Sequence, residues 1–176
     1  MKWLFNRMCS VVVIALTLQI SGCSSRLDID AERTVIAQVI SDHIGWFKNK
    51  DFQLLFSTCA QDSNFFMFQL DSKSTIRGFK QFEEYSVLWQ NPDAHYTRHE
   101  LHDLKIDFSR SGDVAWFSNI LEDCGEYKGK DYCWKDTRWT GVLEKREGKW
   151  VIVHEHFSRA IDLVAEEVRA AMDSKK

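Results

Sequence analysis

The chain has 176 residues, 44% hydrophobic and 28% charged, with a formal net charge of −3. With a single proline, Pro92, this describes one ordinary globular domain and excludes a collagen, a disordered tail or a repeat array. Acids and bases are interspersed, so no basic stripe favours nucleic acid and no acidic block suggests a solvating tail.

The first element reads as an address. Lys2 and Arg7 give a basic start, and Met8 to Ile20 is mostly apolar but short for a membrane span, which needs about 20 residues. The run ends Ile20-Ser21-Gly22-Cys23, which resembles the lipobox of bacterial lipoproteins. That resemblance implies cleavage after residue 22 and lipidation (thioether and acyl chains, palmitate among them) of Cys23. A short spacer, 23–29, would then tether the body to the membrane without spanning it. Ser24 after the cysteine implies the inner leaflet of the outer membrane, facing the periplasm.

The body, 30–159, opens with helices. Asp30 is the expected cap of a helix to about Lys48, with Val35, Ile36, Val39, Ile40, Ile44 and Phe47 at helical spacing. Asp51 caps a short second helix holding Phe52, Leu55 and Phe56. Ser63 to Leu70 is a strand candidate, and Thr75 to Arg77 can pair back on it. Gly78 opens a third helix that Asn91-Pro92 ends.

From Ala94 the period becomes two: Leu104, Ile106 and Phe108 alternate with Asp103, Lys105 and Asp107. Further strands are expected over 114–124, 132–145 and 150–159, joined by turns at 109–113 and 146–149. A closing amphipathic helix, 160–176, carries Ile161, Val164 and Val168. Three helices and then a curved antiparallel sheet make an α+β domain whose helices cover one face. Export permits disulfides, and Cys124 and Cys133 flank a glycine-containing loop. They either staple a hairpin or stay separate, while Cys59 reads as a buried thiol.

Arg138 to Ser158 (RWTGVLEKREGKWVIVHEHFS) resembles the end of a SnoaL-like domain, of the nuclear-transport-factor-2-like superfamily. It is also similar to the association domain of calcium/calmodulin-dependent kinase II. The resemblance implies a cone-shaped fold with a cavity between sheet and helices, used elsewhere by isomerases, cyclases and dehydratases, by ligand receptors, or as a dimer scaffold. By the same likeness, Trp116, Ser118, Ile120 and Glu122 should face inward on one strand, and Val151, Val153, Glu155 and Phe157 on the last. Trp139 and Gly141 should do so on the strand between. The arginines of the association domain have no counterpart at Glu122, Gly141 or Phe157.

Candidate chemistry follows from residue type. Glu122 and Glu155, two carboxylates in one aromatic cavity, would repel and split into an acid and a base. Trp89, Trp116, Ser118, Trp139 and Phe157 are the candidate ligand contacts, although core packing is the ordinary role of such rings. His154 and His156 lie about 6.5–7 Å apart on one strand face and could share a metal only with a third ligand. No P-loop, nucleophile elbow or dinucleotide fingerprint occurs, so no cofactor is expected. The expectation is a lipid-anchored cell-envelope protein, a homodimer through its sheet, binding a small apolar ligand. The alternatives are a cofactor-free proton-transfer enzyme and an interaction module whose cavity its own side chains fill.

Overall fold

The computed structural model describes residues 28–71, 73–159 and 170–174. The leader, Cys23 and most of the proposed closing helix lie outside them; 170–173 are helical. Among the described residues no helix is long and apolar enough to cross a membrane.

Two aspartates start the first two helices. The Asp28 carboxylate accepts from the Ala31 N–H and opens α1, Ile29–Gly45. The cap is therefore two residues earlier than Asp30, whose side chain pairs with Arg33 instead. A tight turn, Trp46–Lys48, extends α1. Asp51 caps α2, Phe52–Ser57, by accepting from the Leu54 N–H. The buried positions of α1 are Ile36, Ile40 and His43, a four-then-three spacing that makes one stripe; Val35 turns out to solvent.

Strand β1, Phe66–Phe68, is shorter than its aromatic run suggests, and β2, Ile76–Arg77, pairs back on it. Gly78 then sits at φ +82°, a left-handed conformation that glycine adopts without strain, and turns the chain into α3, Phe79–Ser86. A tight turn, Val87–Gln90, continues α3 to the Asn91-Pro92 stop.

The long strands are β3 (Ala94–Phe108), β4 (Val114–Tyr127), β5 (Lys130–Arg146) and β6 (Lys149–Arg159). Two of the hairpins use two-residue turns with both central φ positive: Lys128-Gly129, and Glu147-Gly148. Such turns match the natural strand twist. The sheet order is β2-β1-β6-β5-β4-β3. It is mixed rather than wholly antiparallel, because β1 runs parallel to β6. The chain after α2 reinforces that joint: Ala60 donates to the Ile152 carbonyl and Ile152 to the Thr58 carbonyl, both at 2.8 Å. Bulges interrupt the register near Leu121–Asp123 and Val142–Leu143 and help the sheet curve.

The helices cover the concave face. Ile36 and Ile40 of α1, Leu55 of α2 and Phe82 of α3 pack with Phe117, Leu121, Trp139, Leu143 and Ile152 of the sheet. Each such side chain stabilises the fold by roughly 1.5–3 kcal/mol. Glu32 clamps α1 down, accepting from Lys145 Nζ and Trp150 Nε1, both at 2.5 Å.

Candidate functional site

His43 occupies the third buried position of the α1 stripe, so helical geometry drives an imidazole into the core. The parallel joint after α2 delivers Thr58 and Cys59 beside it. The Thr58 hydroxyl donates to the Leu55 carbonyl at 2.6 Å, so toward His43 it acts as acceptor, and Nδ1 donates to it at 2.7 Å. The other ring nitrogen, Nε2, lies 3.1 Å from Glu155 Oε1. Trp139 Nε1 donates to Glu155 Oε2 at 3.0 Å. Burial alone would lower the His43 pKa, but the Glu155 carboxylate outweighs it and, with Cys59 alongside, pushes it up to about 10. The pair is thus an imidazolium and a carboxylate, both sealed from water.

One edge of His43 forms the wall of a cavity of about 400 Å³. The cavity lies between the sheet and the turns that follow α1 and α3. Trp46, Phe82, Tyr85, Trp89 and Phe157 line its interior, and Leu88, Tyr127 and Trp134 its outer part. Among the described residues the cavity is open, and their rings line it rather than fill it.

Asp123 is the one carboxylate among the described lining residues, and no Lys or Arg joins it there. Burial pushes its carboxyl up to about 6, and no other cause contributes. Tyr132, on the same wall, has its phenol raised by burial and by the negative charge of Asp123.

The expected residues divide by strand face. Trp89 and Phe157 line the cavity. Trp139 is fully buried one layer deeper, stacked on Phe157 at 5.3 Å. Trp116 is 47% exposed and, with Ser118 and Glu122, lies on the opposite face of β4. The inward residues there are Ala115, Phe117, Asn119 and Leu121. A one-residue slip in a period of two reverses every side chain, and this is such a slip.

Glu122 pairs with Arg98 on that outer side, so the expected pairing of Glu122 with Glu155 does not occur. On β6, Glu155 and Phe157 do face inward, but Ile152 replaces Val151 because of the bulge at Val153. Gly141 supplies close approach rather than cavity wall: a Cβ there would lie 2.5 Å from the Phe117 ring.

Cys124 and Cys133 are register partners on β4 and β5, with Cα atoms 4.1 Å apart and their sulfurs bonded. His154 stacks on Phe66 and His156 packs edge-on against Phe68. Among the described residues the one donor cluster is Glu122, Cys124 and Cys133, and the last two are committed to each other. His154 and His156 have no third ligand in that set.

Sequence reasoning missed His43 and Asp123. A histidine at the third position of an apolar stripe was the available signal for the first. The second had none beyond lying opposite Glu122 in the strand alternation.

Residues 36–162 match the SnoaL-like domain family, and the chain belongs to it. No curated protein matches it in sequence. Solved structures share the fold. A candidate scytalone dehydratase from Novosphingobium aromaticivorans is 12% identical, with a TM-score of 0.65, covering 76% of this chain and 87% of that one. A candidate dehydratase of the NTF2-like family from Streptomyces avermitilis is 13% identical, TM-score 0.64, covering 76% and 99%. The association domain of C. elegans CaMKII is 18% identical, TM-score 0.57, covering 73% and 96%. Likeness at this identity speaks to the fold.

Proposed function

We propose that this SnoaL-like domain binds a small, largely apolar molecule in its cone. The observation that carries the reading is the open, aromatic cavity of about 400 Å³ with few polar groups on its wall. The test is titration of the protein with tert-butylbenzene, followed by tryptophan fluorescence, since Trp46, Trp89 and Trp134 line the space. Saturable quenching is expected, and Ala94→Phe, which puts a ring into the lining, should abolish it. Unsaturable quenching, or quenching that persists in Ala94→Phe, would contradict the reading.

A second reading, cofactor-free proton transfer, is favoured by Asp123. A cavity carboxyl raised to about 6 is close to the working pH, where a general base or acid is most effective. Neither Glu122, paired outside, nor Glu155, held by His43 and Trp139, is offered to a ligand in this way. Deuterium exchange into the α-positions of 2-tetralone, read by NMR, would be accelerated by the protein and lost in Asp123→Asn.

The same proposal places the domain in the cell envelope, held by lipid on Cys23 and facing the periplasm, with 1–22 removed and 160–176 as a closing helix. The lipobox resemblance supports it. Cys23→Ser should move the protein from the detergent phase to the aqueous phase on Triton X-114 partition; unchanged partition would contradict anchoring. Homodimerisation through the outer sheet face is supported by Trp116 and Phe68, which leave 47% and 43% of their surface exposed there.

A further inference from the structure

We infer that the ligand of this cavity is an organic cation, an ammonium group bearing an apolar body, with Asp123 as its counter-charge. The inference rests on the cavity-binding reading and adds the chemical class.

The wall is chemically one-sided. Its described ionisable groups are His43, Asp123 and three tyrosines. The charge on His43 is already met by Glu155 at 3.1 Å, so the pair presents no net charge to the cavity. Among the described residues Asp123 has no such partner: no side chain there donates to it, and burial raises its carboxyl. A carboxylate withdrawn from water and left unpaired is costly, and a cation arriving with the ligand relieves that cost.

The remaining wall suits the same ligand. Trp46, Tyr85, Trp89 and Tyr132 contribute aromatic surface, and aromatic rings attract ammonium groups through the electron-rich faces of their π systems. Quaternary ammonium groups bind well in such places because they need no hydrogen-bond acceptor at every position. No Lys or Arg stands among the described lining residues to hold a small anion.

The cations at the rim do not meet the charge of Asp123. Lys50 stands 5.8 Å over the Phe47 ring, Lys128 5.3 Å over Tyr127 and Arg159 5.9 Å over Trp134. Lys128 and Arg159 are exposed and therefore screened by salt, and Lys50 donates to the Asn91 carbonyl at 2.5 Å. Asp123, by contrast, sits inside, where charge is screened far less. The groups near it are Tyr132 and Trp134 from β5, His99 across the register on β3, and Tyr127 on its own strand. Burial lowers the pKa of His99, so it is neutral at pH 7 and does not supply the missing counter-charge.

The experiment compares two probes of one shape, phenyltrimethylammonium and its carbon isostere tert-butylbenzene, by fluorescence titration of the full chain at pH 7.5. The cation should bind at least about tenfold more tightly, and Asp123→Asn should make the two probes bind alike. Equal or tighter binding of the isostere would overturn the inference and leave the cavity reading standing. A preference that survives in Asp123→Asn would overturn it as well. Failure of both probes to bind the folded wild-type protein would overturn the inference and the cavity reading together.

Discussion

His43 Nε2 and Glu155 Oε1 lie 3.1 Å apart, with the His43 side chain 3% exposed and that of Glu155 fully enclosed. The imidazole comes from the first helix and the carboxylate from the last strand, so the pair ties the two ends of the domain together. Its charge state sets a pH dependence. The imidazole pKa is raised in the fold, so the pair's contribution is complete below about 6.5, the unfolded value. It is lost as pH climbs toward the folded value of about 10. Glu155→Gln strands the imidazole without its counter-charge and should cost about 3 kcal/mol at neutral pH. Denaturation curves from pH 6.5 to 10 should show wild type losing its advantage over the variant. A constant difference across that range would contradict the charged pair.

Asp123 acts in the opposite direction. Its raised pKa means the folded state holds the proton more tightly than the unfolded one between about pH 4 and 6. Stability attributable to this group therefore falls as pH rises through that window. Asp123→Asn should leave stability nearly unchanged at pH 4 and raise it at pH 7, by on the order of 2 kcal/mol. Thermal melts of both proteins at the two pH values make the comparison. A variant less stable than wild type at pH 7 would show that Asp123 has a partner in the fold.

The Cys124–Cys133 bridge closes a short hairpin, nine residues apart in sequence. Chain entropy assigns a loop of that length about 2–3 kcal/mol. Reduction, or the double change Cys124→Ser with Cys133→Ser, should lower the melting temperature while leaving the circular dichroism spectrum intact. The effect should centre on the hairpin that carries Tyr127, Tyr132 and Trp134 to the cavity mouth. Hydrogen exchange of Tyr127 and Tyr132 should speed up more than exchange of Leu143, which is buried far down β5.

Much of the fold was legible because its signals were local. Asp51 and Gly78 stand where a helix must begin, and Glu147-Gly148 where two strands must turn. The alternation of β3 was visible because Lys105 and Asp107 separate Leu104, Ile106 and Phe108. The face of β4 was not legible. Trp116 and Ile120 are apolar on one side, Phe117 and Leu121 on the other, so hydrophobicity could not choose between them. Only the packing of α1 and α3 decides, and it selects Phe117 and Leu121. On β6 the bulge at Val153 shifts the alternation halfway along, which explains why Glu155 and Phe157 face inward as expected while Val151 does not. The parallel pairing of β1 with β6 joins segments nearly ninety positions apart in the chain, and nothing in either segment advertises it.

The central claim is that the cone is hollow and takes an apolar guest. Diffraction from crystals held under xenon tests it directly, because xenon enters dry apolar cavities without needing any polar contact. Xenon is expected between Trp46, Trp89 and Phe157. Rings that have closed over that space, with xenon absent from it, would contradict the claim.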